Sequence, residues 1–246
     1  MRTPGCARGE LGDARAHGAR GRVERIAVYT AITAERDTLK EPLCAPAGVD
    51  FFFFSDGSVP CRPPWREIRL PALSLGPRRL SRWPKLLSHE ALPDHEYALW
   101  LDGSWTLCGD PRELLPLVQG EHALALHRHP LRSCAYDEAR ACIEKAKDGR
   151  EAIDRQMHRY RRHGLPKGAG LAQASTVLRR HTHRTRRFNE AWWQAYLRGS
   201  ERDQLAFAFV AWKLQVGFEP LPGSPHDTPW YWGTHRHRPL AAATPA

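Results

Sequence analysis

The residues of this chain best suited to chemistry are acids that end apolar runs. Tyr97-Ala-Leu-Trp-Leu-Asp-Gly-Ser104 is the clearest case, an apolar stretch that follows a Pro93-Asp94 turn and stops on Asp102-Gly103-Ser104. The pattern predicts a buried strand delivering one carboxylate to its C-terminal end. Ligands of open α/β sheets bind at that end. A carboxylate there offers hard oxygens to a divalent cation, a ribose hydroxyl or a sugar. The same residues also fit a plain strand followed by an Asp-Gly turn.

Just ahead of that strand, residues 80–91 read as one helix, with Ser81 as N-cap, Pro84 in the first turn and Trp83, Leu86, Leu87 and Ala91 facing inward. Arg82, Lys85 and His89 fall on another face. Such a stripe suits a diphosphate, and equally an ordinary wet helix face. Asp203 closes Ser200-Glu-Arg-Asp203, a capping-box pattern that accounts for it without function. His127 and His129 share one face of a strand over 123–129, a metal pair with no third ligand in view. The six cysteines (Cys6, Cys44, Cys61, Cys108, Cys134 and Cys142) show no CxxC or other short ligand spacing and read as reduced, mostly buried thiols. No GxSxG elbow supports a Ser or Cys hydrolase.

The elements that must position these groups alternate in an α/β manner. Strands are expected over 25–32, 51–54, 65–70, 97–101, 123–129 and 174–179, and the first two run into polar or acidic loops at Thr33 to Asp37 and Ser55-Asp56-Gly57. Helical patterns cover a short stretch on Leu114, Leu115 and Leu117, then 136–162 ending at the cap Gly164. Phe188, Trp192 and Tyr196 mark another helix, and a last one starts at Ser200 with Leu205, Phe209 and Trp212 inward. Repeated strand ends carrying Thr or Asp into loops are what a nucleotide-binding half-sheet shows.

Length and composition bound the rest. With 246 residues, 41% of them hydrophobic and nine Trp, the chain can bury the core of one domain. Residues 1–22 read as a disordered basic lead, 23–220 as the domain and 221–246 as an aromatic and His-containing tail with no evident chemistry. The net charge of +10 raises nucleic acid as a partner. That excess sits in residues 145–187, where 13 Lys and Arg face three acids, either a phosphate-facing surface or a solvated helix face. No nucleic-acid motif and no interleaved aromatics accompany it. No apolar run approaches the ~20 residues of a membrane span and no signal-type h-region follows the N-terminal arginines. A cytoplasmic protein is expected, with any membrane contact peripheral.

Several segments then carry a family resemblance in their order and spacing. They are Ile26-Ala-Val-Tyr-Thr-Ala-Ile32, Trp65, Arg79, Pro84-Lys-Leu-Leu-Ser-His89, Trp100-Leu-Asp-Gly-Ser104, His129-Pro-Leu-Arg132 with Tyr136-Asp-Glu138, Gln156-Met157 with Tyr160 and Gly164-Leu-Pro166, Phe188-Asn-Glu with Trp192-Trp193, and Arg202-Asp-Gln-Leu205. Over about Arg25 to Leu214 the chain resembles the glycosyltransferase-like domain family once filed as of unknown function, which includes plant proteins linked to seed mucilage and turgor. The resemblance implies an α/β fold of GT-A type, Rossmann-like, in one domain with a mixed central sheet. It implies a glycosyltransferase of polysaccharide biosynthesis that moves a sugar from a nucleotide-sugar donor to a glycan or glycolipid acceptor.

By the same resemblance, Asp102 and Asp203 would be the catalytic acids. Thr30, Arg79, Arg82, Lys85, Asp102 and Ser104 would meet the donor, and His129, Arg132, Glu138, Asp203 and Gln204 the sugar or acceptor. Asp102 would hold a divalent cation, Mn²⁺ or Mg²⁺, that bridges the diphosphate. The sequence departs from a full DxD motif, since Asp102-Gly103-Ser104 has one acid and a hydroxyl; Arg79, Arg82 and Lys85 would then share the neutralisation. A non-catalytic glycan-binding member of the same fold, or a nucleic-acid binder using residues 145–187, are the alternatives.

Overall fold

Ile26–Ile32 forms β1, and all seven residues are buried, as a continuous apolar run predicts for a parallel strand covered on both faces. In this computed structural model, which describes residues 25–224, 226 and 228–233, β1 pairs in parallel with β2 (Val49–Ser55) and β4 (Tyr97–Leu101), and β2 with β3 (Arg66–Arg69). β7 (Ala172–Arg180) runs antiparallel between β4 and β6 (Leu124–Arg128), and β8 (Glu219–Pro220) lies parallel on the far edge. The result is a mixed seven-stranded sheet of order β3-β2-β1-β4-β7-β6-β8. β5 (Trp105–Leu107) and β9 (Tyr231–Gly233) make a separate antiparallel pair. The basic lead over 1–22 and the tail beyond 233 lie outside the described residues.

Side-chain alternation along the strands feeds two cores. Ala27, Tyr29, Ala31, Ala98 and Trp100 pack under helices α6 (His183–Leu197) and α7 (Asp203–Leu214), with Phe188, Trp192 and Phe207. Val28, Ile32, Leu99 and Leu101 face the other way, onto the 3-10 helix Pro111–Val118 and Tyr231. Leu205 and Phe209 of α7 are buried as expected, whereas Trp212 is only partly so.

Four sequence expectations are corrected. Residues 80–91 form no continuous helix but follow a chain of single turns, α1 (Pro77–Leu80), α2 (Trp83–Leu86) and α3 (Ser88–Ala91). Pro84 has no N–H to continue a ladder, and Leu87, at φ −112° and ψ 46°, breaks the path between the last two turns. Lys85 consequently points inward, with 1% of its side chain exposed, in place of a wet stripe. Second, the helix over 136–162 is two, α4 (Ala135–Glu144) and α5 (Arg150–Arg162), parted by a turn in which Ala146 adopts φ +46°.

Third, Ser200 does not cap α7. Its hydroxyl donates to Gln156 Oε1 at 2.6 Å, while Arg202 is the N-cap, with no side-chain cap bond. Fourth, His127 and His129 do not converge: a register shift falls between Leu126 and His127, and His127 Nε2 lies 2.8 Å from Tyr231 Oη. The expected cap at Gly164 is present, at φ +87°, with Leu165 N–H donating to the Tyr160 carbonyl. The described cysteines are free thiols; Cys134 and Cys142 are buried and the other three partly exposed. Among the described residues no helix is long and apolar enough to cross a membrane.

Candidate active site

A cleft of about 660 Å³ opens at the carboxyl ends of β1 and β4, where Ala31, Ile32, Thr33, Asp102, Gly103 and Ser104 form one wall. Asp102 leaves β4 as the sequence predicts. Its N–H still donates to Ser175 O of β7 at 2.9 Å, and its carbonyl accepts from Trp105 N–H at 2.8 Å, so the turn over Gly103 and Ser104 is tight. A Cβ on Gly103 would come within 2.9 Å of Ile32 Cγ1, which is why glycine stands there.

Asp102 Oδ1 accepts from Trp100 Nε1 at 2.8 Å and lies 3.4 Å from Lys85 Nζ. The same ammonium donates to Asp203 Oδ2 at 2.6 Å, joining the two carboxylates. Arg82 Nε lies 3.4 Å from Asp203 Oδ2, and Asp203 Oδ1 accepts from Gln204 N–H at 3.0 Å. Burial by itself would push the Asp203 carboxyl up, but Lys85 and then Arg82 hold it well below the usual carboxylate range. Burial likewise disfavours the Arg82 charge, and Asp102 and Asp203 overcome it, raising that guanidinium above its ordinary value.

The cations outnumber the acids around this core. Five arginines and three lysines line the cleft against Asp37, Asp102, Glu138 and Asp203, an excess of four positive charges. Arg36 shows the crowding directly: burial, then Arg78 and Arg82, and further Arg202, push its ionisation down. Across the cleft, Glu138 is buried and accepts from Arg132 Nε at 2.6 Å, and His129 Nε2 lies 3.4 Å from the same oxygen. His129 Nδ1 accepts from the Leu131 and Arg132 N–H groups at 3.2 and 3.1 Å, so the ring fixes its own loop. Burial lowers the His129 pKa although Glu138 opposes it, and Glu138 stays below its ordinary value against burial because Arg132 and His129 favour its charge.

Nine of the expected site residues therefore meet in one cleft: Arg82, Lys85, Asp102, Ser104, His129, Arg132, Glu138, Asp203 and Gln204. Thr30 and Arg79 do not line it. Thr30 is buried within β1, just before the lining residues of that strand end. Arg79 turns away and donates to the carbonyls of Tyr196, Leu197 and Gly199 at 3.1, 3.1 and 2.8 Å, closing the C-terminus of α6. Arg36, Asp37, Arg78, Lys147, Arg202 and His226 line the cleft without having been singled out as site residues. His226 comes from the tail, its ring 5.5 Å from that of Trp105, and no local pattern marks it.

The 145–187 sector is not one surface. Lys145 and Lys147 reach the cleft, Arg179 is fully buried, Arg180 pairs with Glu96 at 2.9 Å, and Arg184 with Glu121 at 2.6 Å. Among the described residues no three of His, Cys, Asp and Glu gather as a metal cage. Asp102 is a single carboxylate at the cleft, so a divalent cation there would take most of its oxygen ligands from a bound phosphate and from water.

The α/β architecture with a mixed central sheet expected above is the one the chain has, and its cation-rich cleft opens at the ends of its parallel strands. The chain belongs to the TOD1/MUCI70 glycosyltransferase-like domain family, whose model matches residues 64–221. It is 31% identical over 147 residues to the probable hexosyltransferase MUCI70 of Arabidopsis thaliana, covering 56% of this chain and 25% of that protein. It is also 31% identical over 160 residues to alkaline ceramidase TOD1 of the same plant, covering 59% and 35%. The chain thus spans a quarter to about a third of these curated relatives. Among solved structures it is similar to mouse xyloside xylosyltransferase 1 in its apo form, with a TM-score of 0.45 and 11% identity over 80% of this chain and 84% of that one. For the galactosyltransferase LgtC with donor and acceptor sugar analogues the TM-score is 0.36, at 11% identity over 75% and 70%.

Proposed function

We propose that this domain binds a nucleotide-sugar donor with its diphosphate over Arg36, Arg78, Arg82, Lys85 and Arg202, and passes the sugar to a glycan or glycolipid acceptor. The observation that carries this reading is the gathering of five arginines and three lysines against four acids at a single strand-end cleft, where burial and then the Arg78 and Arg82 charges push the Arg36 ionisation down. Like charges held together in a partly buried place are relieved by an anion, and the similarity to a probable hexosyltransferase supports a hexose as the group transferred.

In the reaction the bond from the sugar's anomeric carbon to phosphate oxygen breaks, and its electron pair leaves with the nucleoside diphosphate. Donors already aimed at that developing charge stabilise it without rearrangement. The acceptor hydroxyl forms the new bond to the anomeric carbon and releases its proton to a basic group at the cleft. Asp203, held ionised by Lys85, is a poor proton acceptor and acts by orienting Lys85 and Arg82. Asp102 is the more accessible of the pair, with 23% of its side chain exposed against 9%, and is the group for donor hydroxyls or a cation. Asp102, with His226 lining the same cleft, would hold a divalent cation, and the cation would supply neutralisation of diphosphate charge. His129, Arg132, Glu138 and Gln204 border the acceptor side.

The test is a thermal-shift panel of nucleoside diphosphates and nucleotide sugars with and without Mn²⁺ or Mg²⁺, followed by transfer assays. One nucleotide at 100-fold over its Kd is expected to add about 2.7 kcal/mol, and Asp102→Asn should remove turnover. Silence across the whole panel would defeat the donor assignment. Hydrolysis of ceramide without sugar transfer would instead favour the amide chemistry in the name of the ceramidase relative.

A further inference from the structure

On the far side of the loop that His129 fixes lies a second groove of about 730 Å³, within the range of small-molecule sites. The groove and the cleft share His129, Pro130, Leu131 and Arg132 as a common wall. Leu131, Leu171, Phe207, Ala211, Trp212 and Phe218 give the groove an apolar lining, and Leu131 is 75% exposed. Arg128 and Arg132 also line it, and no acid does. The wall is held from behind by the Arg132 to Glu138 bond at 2.6 Å, so groove and cleft keep a set separation.

We infer that this groove seats the apolar chain of a lipid acceptor whose phosphate-bearing head lies against Arg128 and Arg132, with its sugar-accepting end toward the cleft. The inference rests on the glycosyltransferase reading and names the acceptor class. Two features select the occupant. An apolar trough with cationic side chains and no acid complements one hydrocarbon chain with an anionic head. Its continuity with the cleft across a single loop puts such a head beside the transfer site.

The probes are dodecyl phosphate and octyl phosphate below micelle formation, with glycerol phosphate as the chainless control, titrated calorimetrically into the full chain. Each methylene removed from water strengthens binding by up to about fourfold, so four more carbons give at most about 200-fold and at least tenfold is expected. Ala211→Trp, which fills the groove from a partly exposed position of α7, should weaken dodecyl phosphate at least tenfold. Trp212→Glu, which sets a negative charge in it, should do the same. Both variants should keep the nucleoside diphosphate shift of the parent. Equal affinity for dodecyl and glycerol phosphate, indifference to both variants, or binding only to phosphatidylglycerol vesicles would each overturn the inference. Tight, chain-length-dependent binding in a protein that ignores every nucleoside diphosphate would uphold the groove and defeat the donor reading alone.

Discussion

Lys85 and Asp203, 118 residues apart in the chain, meet at 2.6 Å with 1% and 9% of their side chains exposed. A pair this buried stabilises little against an apolar replacement but is costly to break on one side. Asp203→Asn should therefore lose about 3 to 5 kcal/mol in denaturant unfolding, and the joint change Lys85→Met with Asp203→Leu should recover most of it. Because the folded Asp203 carboxyl is held below its ordinary value, its contribution is present above about pH 4 and is lost as pH falls further. Asp203→Asn should remove that acid dependence, and an unchanged acid limb in the variant would refute the pairing.

Arg79 acts on the fold, through three carbonyls at the end of α6. Arg79→Ala should cost about 2 to 3 kcal/mol, and Arg79→Lys should not restore it, since one ammonium cannot replace the planar fork. Nucleoside diphosphate affinity, measured by calorimetry on the folded variant, should stay within about threefold of the parent, whereas Arg82→Ala should lose at least tenfold.

Gly103 has no room for a side chain against Ile32. Gly103→Ala is expected to cost about 1 to 3 kcal/mol and to weaken donor binding by displacing Asp102. In an Ile32→Ala background, where the opposing Cγ1 is gone, the same change should cost almost nothing. A double-mutant cycle on stability reads this coupling directly.

Two histidines, His127 buried and His181 half-buried, make stability fall in mild acid. Burial lowers His127 to about 4, and burial with Arg179 lowers His181 to about 3. The unfolded chain takes up these protons near pH 6.5 while the folded one does not, so stability is full above that pH and declines as pH drops toward 4. His127→Gln should flatten part of this slope, by roughly 1 to 3 kcal/mol between pH 7 and 4, in denaturant titrations.

The long strands were legible because continuous apolar runs have few other uses in a chain of this size. Ile26–Ile32 and Tyr97–Leu101 fall within a residue or so of where the sequence puts them. β5 and β9 were not, since each is three residues long and is defined only by its partner. The stripe of Arg82, Lys85 and His89 was legible as charge but not as direction. Pro84 and Leu87 break the helix that the periodicity promised and turn Lys85 under the sheet ends.

By itself, the sequence determined that Asp102 ends a buried strand and that cations precede it, because hydrophobic run length and turn residues are local properties. It also carried the family resemblance that the match over 64–221 bears out. Only the tertiary structure decided which cation meets which carboxylate, that Arg79 serves a helix end, and that His226 of the tail reaches the cleft. Those pairings join residues tens to more than a hundred positions apart, and no local period records a contact that exists only after the sheet has closed.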